Sequence, residues 1–230
     1  MSTLKERLDG IRERINKAAE KSGRSGKDIT LVAVTKTYEA DVINEAIELG
    51  VTDIGENKVQ EILRKYDSVK PVKWHLIGHL QSNKVKYIID KVSMIHSVDS
   101  IHLMDEIERQ AEKKNKTMDI LIQVNISGEE SKFGIKPEDV YEILEYASKL
   151  KNVKVRGLMT ILPKDDNKMN LKLHFVNIKR LSLDISEKKY DNICMDYLSM
   201  GMSGDFEEAI MEGSDMVRIG SAIFGERKYV

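Results

Sequence analysis

Residues Thr30 to Asn57, TLVAVTKTYEADVINEAIELGVTDIGEN, pass from a short apolar run through an amphipathic stretch to a second short apolar run. The spacing predicts strand, helix, strand. The first run ends in a lysine, Lys36. An ammonium is costly to bury unless it is paired or loses its charge. Either Lys36 marks where the strand reaches water, or a site needs an amine there.

The same alternation continues outward. After TLVAVTK and TDIGEN come KWHLIG, SMIHSVD, DILIQVNI, VRGLMTI, DYLSMG and MVRIGSAIFG, about eight candidate strands in all. Amphipathic stretches such as EADVINEAIELG, SIHLMDEIERQAEKKN, KPEDVYEILEYASKL and DFEEAIMEG lie between them. Before the first strand, Leu4, Leu8, Ile11, Ile15 and Ala18 fall at helical spacing, predicting a helix over about residues 2–22 that ends near Gly23. Apolar strands alternating with amphipathic helices indicate parallel strands covered by helices. There is no composition break, no Pro/Gly linker and no solenoid repeat. The expected fold is α/β, a single (β/α)8 TIM-type barrel over residues 1–230, with an open doubly wound sheet as the alternative.

Composition narrows the function. The 230 residues carry a formal net charge of −1, which gives no bulk attraction to nucleic acid or a membrane surface. No apolar stretch is long enough to span a bilayer. The single cysteine, Cys194, excludes an internal disulfide framework and a Cys-rich zinc site. The charged, helical N-terminus is not a signal peptide. These features favour a reducing, cytoplasmic setting. No exposed apolar stripe demands a partner, so a monomer is expected.

In a parallel barrel, function gathers at the C-terminal ends of the strands. The strands deliver there, in order, Thr35 and Lys36; Glu56 and Asn57; Gly78 and His79; Ser97 and Asp99; Asn125; Met159 and Thr160; Ser199, Gly201 and Ser203; and Arg218, Gly220 and Ser221. The last two groups lie in LSMGMSGDFEEA and VRIGSAIFGER, each a strand followed by a Gly/Ser turn and a helix start. Glycines let backbone N–H groups come close to a ligand, serines add hydroxyl donors, and a helix start adds partial positive charge. Each turn alone could be an ordinary Ser-capped turn. Two together, after strands seven and eight, mark the usual phosphate site of such barrels. Arg218 sits within an apolar run. It either pairs with a carboxylate such as Glu226 or Asp196, or is aimed at a ring nitrogen or an anion. Lys36, the lysine most firmly set in an apolar strand, would lie across the rim from the phosphate site, with a lowered pKa that suits attack on an aldehyde. Aldehyde, phosphate and ring nitrogen together describe pyridoxal 5′-phosphate (PLP).

Other motifs carry less. HLIGH lacks the glutamate of a zinc helix, so His75 reads as a core or strand histidine and His79 as a rim residue. SGRSGKD precedes a strand and is not a P-loop. Cys194 reads as a small buried apolar residue. Met159 and Met200 read as packing residues, Met159 with the option of flanking a flat ring.

The motifs ITLVAVTKT, DIGENKVQE, WHLIGHLQSNK, IHSVDS, QVNISGEESKFGI, RGLMTI, LSMGMSGDFEEAI and DMVRIGSAIFGER run in order from about residue 25 to residue 227. Together they resemble the pyridoxal phosphate homeostasis proteins, the YggS/PROSC-like family. The resemblance implies a PLP fold type III barrel similar to the N-terminal domain of alanine racemase. It implies an aldimine between PLP and Lys36. It also implies Ser199, Ser203, Gly220 and Ser221 at or near the phosphate, Arg218 at the pyridine nitrogen, Asn57 lining the cofactor, and Met159 and Met200 as further neighbours. No catalytic residue and no metal ligand is expected. Racemases of this type bring an opposing tyrosine from a second β-domain, and the chain leaves no length for one after its eighth strand. The resemblance therefore implies a carrier that buffers PLP in vitamin B6 homeostasis, with secondary effects on amino-acid and keto-acid balance and transient contact with apo-enzymes that need the cofactor. A weak amino-acid racemase, and a barrel for another phosphorylated metabolite, are the alternatives.

Overall fold

A computed structural model describes residues 2–129, 132–162 and 167–225, with the backbone alone at Lys168. Eight parallel strands, β1 (Thr30–Val34), β2 (Asp53–Glu56), β3 (Lys73–Leu76), β4 (Met94–Val98), β5 (Met118–Gln123), β6 (Val153–Met159), β7 (Ile193–Ser199) and β8 (Met216–Ile219), pair in chain order and close into a barrel. Closure is made where β1 pairs with β8, from Thr30 opposite Met216 to Ala33 opposite Ile219. That pairing excludes the open sheet. The helices are α1 (Leu4–Lys21), α2 (Ala40–Glu48), α3 (Val59–Lys65), α4 (Ile101–Lys113), α5 (Val140–Ala147), α6 (Lys168–Glu187), α7 (Phe206–Met211) and α8 (Ser221–Phe224). After β3 the chain makes a 3-10 helix, Ser82–Tyr87, instead of an α-helix.

Local chemistry sets these boundaries. α1 begins at Thr3, whose hydroxyl accepts from the Glu6 N–H while the Glu6 carboxylate accepts from the Thr3 N–H, a reciprocal capping box. Leu4, Leu8, Ile11, Ile15, Ala18 and Ala19 make its buried face. It packs on α7 and α8, outside the barrel proper. α4 opens at Ser100, whose hydroxyl accepts from Leu103 N–H, and buries Leu103, Met104, Ile107 and Ala111. α6, absent from the helical stretches quoted above, is 20 residues long and starts at Asn167, whose side chain accepts from Met169 N–H. Its outer side exposes Met169, Leu173 and Leu183. At 100° per residue these fall within about 80° of one another, so the expectation of no exposed apolar stripe does not hold on this helix. Among the described residues no helix is long and apolar enough to cross a membrane.

Strand alternation divides the interior. A large apolar cluster lies between barrel and helices, including Ala33, Ile54, Leu76, Ile95 and Leu198 from the strands. A small one, Met94, Leu121, Met159 and Met216, fills part of the lumen. Polar side chains take much of the remaining lumen. β6 carries the main irregularity: its pairing with both neighbours shifts at Arg156. Gly157, at φ +148°, lies so close to β7 that a Cβ there would stand 1.8 Å from the Tyr197 carbonyl oxygen. The bulge turns Arg156 outward onto Asp119 and Asp196, at 2.7 Å from each. Cys194, in β7, is only half-buried, so it is not the core residue the sequence suggested. Burial is the first influence raising its thiol, followed by the nearby Asp196 charge.

Candidate functional site

The rim is built from the strand ends. β1 stops at Val34, and Lys36 follows two residues later, half-buried. It shares the alternation of Val32 and Val34. Thr37 has φ +73°. For a β-branched residue that conformation is strained by roughly 1–3 kcal/mol, and such strain persists only where the surroundings enforce it. Here Tyr38 N–H donates back to the Thr35 carbonyl at 3.1 Å. The Tyr38 hydroxyl donates to the Gly225 carbonyl at 2.9 Å, and its ring lies on Phe224. β1 neighbours β8, and Val34 lies against Gly220, so Lys36 stands beside the β8 loop and not across the rim from it.

Two polar rim residues, Thr35 and Glu56, bond to each other and do not face the mouth. Glu56 turns out to the helix layer, where Oε1 accepts from Lys65 Nζ and Thr35 Oγ1, each at 2.8 Å. Among the described residues Lys65, not Lys36, is the most deeply buried lysine, at 2% exposure. Its ammonium also reaches Glu61 at 2.9 Å and the Thr35 carbonyl at 3.1 Å. Burial pushes the Glu56 carboxyl up, against the pull of Lys65. Lys65→Met would leave that carboxyl without its cation, and chemical denaturation should show a loss of about 3–5 kcal/mol. Adding Glu56→Gln should recover part of it; a single variant within about 0.5 kcal/mol of the parent would show the pair to be dispensable. Met200 likewise packs in the cluster between barrel and helices, opposite in alternation to Ser199, so it offers the rim its backbone only.

The residues that do converge form a floor and a lip. On the floor, Arg218 is buried and donates from Nη1 to Ser199 Oγ (2.7 Å) and from Nη2 to the Thr160 carbonyl (2.9 Å). Met159 lies in the lumen beside them, fully buried. Burial pushes the guanidinium down to about 10, with Asp205 opposing, so it is still charged at neutral pH. Among the described residues no carboxylate is within ion-pair distance of Arg218: Asp196 is engaged outside by Arg156, and Glu226 lies outside the described residues.

The lip is the pair of loops after β7 and β8. Gly220 N–H and Ala222 N–H both point at Ser203 Oγ, at 3.3 and 3.4 Å. Arg218 N–H donates to the Gly201 carbonyl at 3.0 Å, tying the loops together. Gly201 has φ +91°, and a Cβ there would meet Ala209 Cβ at 2.6 Å, so glycine alone lets the loop pass α7. Asp205 accepts from Met202 N–H at 2.5 Å, and burial raises its carboxyl. Ser221 is exposed at the start of α8. On the β2 side, Asn57 Oδ1 is buried without a hydrogen-bond partner. Convergent N–H and hydroxyl donors, a buried guanidinium and an orphaned amide oxygen suit a ligand with an anionic group at one end and polar atoms on a compact body.

Elsewhere on the rim, His79 stacks on the exposed ring of Phe133, centroids 4.0 Å apart, with Asp99 3.5 Å from its Nδ1. Burial raises the Asp99 carboxyl, with His79 opposing. Ser97 donates to the Gly78 carbonyl at 2.6 Å, and Asn125 braces its own loop through Glu129. Glu130 and Ser131 of that loop, and the PKDD segment 163–166, lie outside the described residues. Asp53, His96 and Lys65 were not singled out from sequence. The period-two spacing of Met94 and His96 was the available sign that both face the lumen.

The alanine racemase N-terminal domain family matches residues 7–228. The pyridoxal phosphate homeostasis protein of Aquifex aeolicus is 47% identical over 226 residues, covering 97% of this chain and 98% of its own length. That of Escherichia coli K12 is 37% identical over 234 residues, covering 100% and 99%. The solved structure of Synechococcus elongatus PipY with PLP bound matches at 30% identity and TM-score 0.84, over 97% of this chain and 100% of that one. An alanine racemase of Clostridium difficile matches at 18% identity and TM-score 0.70, over 96% of this chain and 58% of its own, a likeness of fold.

Proposed function

The chain belongs to the pyridoxal phosphate homeostasis protein family, and from that premise we propose that it holds PLP at the C-terminal mouth of its barrel and serves as a carrier and buffer of the cofactor. The observation that carries the reading is the lip, where Gly220 and Ala222 N–H groups turn onto Ser203 Oγ next to the strand that leads to Lys36. These groups, with Ser221, take the phosphate. Arg218, held from below by Ser199, faces the ring nitrogen. Asn57 Oδ1, the orphaned acceptor, meets a donor on the bound group, and Met159 stands under the ring. Lys36 supplies the amine that joins the aldehyde as a Schiff base, with the carbonyl oxygen leaving as water. When bound, the cofactor brings an aldehyde and a conjugated ring able to delocalise electrons.

Arg218 argues for a carrier over an enzyme. A guanidinium still protonated at neutral pH can only donate, so it keeps the ring nitrogen unprotonated and weakens the ring as an electron sink. Residues 1–230 act as one cofactor-binding domain in the cytoplasm, with apo-enzymes as transient recipients. The test is the visible spectrum of the purified protein with added PLP, followed by borohydride reduction and peptide mapping. An absorption band lost on reduction, with pyridoxyl mass on Lys36 and no scrambling of amino-acid stereochemistry beyond that of free PLP, is expected. No band at saturating PLP would redirect the site to another phosphorylated ligand. Scrambling well above the free-cofactor rate would make the protein a weak racemase.

A further inference from the structure

A line of polar side chains crosses the lumen beneath the site. At the N-terminal end of β2, Asp53 accepts at Oδ1 from His75 Nε2 (2.9 Å) and at Oδ2 from Thr52 Oγ1 (2.7 Å). His75 Nδ1 is 2.9 Å from His96 Nε2, and His96 Nδ1 is 3.1 Å from Ser199 Oγ. Ser199 Oγ in turn accepts from Arg218 Nη1. The His96–Ser199 contact joins β4 to β7, strands that are not neighbours, so it spans the lumen. Asp53, His75, His96, Ser199 and Arg218 are all buried.

The carboxylate end, with both imidazoles neutral, sets the direction of every bond. A guanidinium can only donate and a carboxylate can only accept. A serine oxygen can accept twice, so direction is set from the Asp53 end: with both imidazoles neutral, Ser199 Oγ accepts from Arg218 and gives its own proton to His96 Nδ1. His96 is then the neutral Nε2–H tautomer and donates to His75 Nδ1. His75 is also Nε2–H and donates to Asp53. A second proton on His75 would reverse its bond to His96, turn the His96 proton toward Ser199 Oγ, and leave the serine proton without its acceptor. Burial first, and then the nearby Arg218 charge, push the His96 imidazole well below its ordinary range, so it stays neutral. Burial alone would raise the Asp53 carboxyl, but hydrogen bonds from His75 and Thr52 outweigh it and hold it below the usual value. The other charges acting on the line are Lys73 near Asp53 and Asp205 near Arg218.

We propose that Asp53, His75, His96 and Ser199 are positioning residues for Arg218, a one-way hydrogen-bond relay that fixes its guanidinium and couples it to a carboxylate at the opposite mouth of the barrel. Arg218 has no carboxylate at ion-pair distance among the described residues, and the relay gives it a remote counter-charge. Along such a line each bond polarises the next. The inference uses the PLP reading only for what Arg218 faces; the relay belongs to the chain itself.

The first test uses the full chain labelled with 15N, without added cofactor, at neutral pH. His75 and His96, assigned through His75→Gln and His96→Gln, should both be neutral Nε2–H tautomers by imidazole 15N shifts. An Nδ1–H tautomer or an imidazolium at either position overturns the relay. The second test compares PLP binding by the parent, Asp53→Asn, His96→Leu and His96→Gln. Asp53→Asn and His96→Leu should weaken PLP on the order of fivefold or more and move the pH at which the bound chromophore changes. Gln, which can accept and donate in the same directions, should rescue His96. Lower stability with unchanged affinity and an unchanged chromophore pH profile would reduce the line to packing. If the parent binds no PLP, the PLP reading fails and the tautomers alone decide the relay.

Discussion

Lys36→Ala should abolish the borohydride-trapped label while leaving a folded protein that still binds PLP weakly. The label needs a primary amine, and alanine has none. The lip and Arg218 are untouched by the change, because Gly220, Ala222 and Ser203 bond to one another and Arg218 is held by Ser199 and Thr160. Non-covalent binding should therefore survive, weakened on the order of 100-fold, about 2.7 kcal/mol. Lys36 is half-buried and lies outside the regular strand, so the variant should remain folded. Equilibrium dialysis, reductive labelling and thermal unfolding separate these effects. A label that persists on Lys58 or Lys84 would show that the amine had been misplaced.

Gly157→Ala should bring the largest loss of stability of any single methyl group added to the barrel wall. At φ +148° an L side chain is strained, and the new Cβ would sit 1.8 Å from the Tyr197 carbonyl oxygen. The obstacle is backbone of the adjacent strand, so relief requires β6 and β7 to part beside Ser199 and Met159. A loss of about 3–5 kcal/mol is expected, which for a chain of this size lowers Tm by about 6–20 °C. Gly10→Ala is the control. That glycine lies within α1 with nothing within 4 Å of its Cβ position, and alanine there should stabilise by about 0.5–1 kcal/mol. A Gly157→Ala loss below about 1 kcal/mol would mean that the bulge yields freely.

The barrel was legible because each strand is a short apolar run bounded by an amphipathic stretch, and the two periods, 2.0 and 3.6, do not mimic each other. The lip was legible because Gly and Ser cluster after β7 and β8. What escaped depends on facing direction and on contacts between distant segments. Glu56 looks like a rim residue in the linear order, but it is one position out of phase with Asn57, and the pleat turns it toward Lys65. Lys65 itself reads as one more lysine in a charged helix; its burial is decided by Glu56, Glu61 and the Thr35 carbonyl. Arg218, inside an apolar run, visibly needs an acceptor, and the sequence leaves open a carboxylate or a ligand's ring nitrogen or anion. The acceptors are Ser199 and a main-chain carbonyl, partners that no local pattern announces. Met200 shares a motif with Ser199 yet points the other way.

The seam between β1 and β8 has a consequence for how the protein is made. Arg7 in α1 donates to the Ile223 carbonyl, 216 residues away, and Arg24 reaches the carbonyls of Ile210 and Ser214. On the ribosome, β1 emerges with one edge bare, and its partner β8 is translated about 186 residues later (Thr30 pairs with Met216). At about 5–20 residues per second the interval between them is roughly ten to forty seconds. Throughout that time the nascent chain is an open sheet with an unpaired parallel edge, and α1 has no α7 or α8 to lie on. Such an edge pairs readily with other chains. Closure thus cannot begin until β8 has been made, and the waiting period, more than the finished barrel, is when the bare edge is open to pairing with other chains.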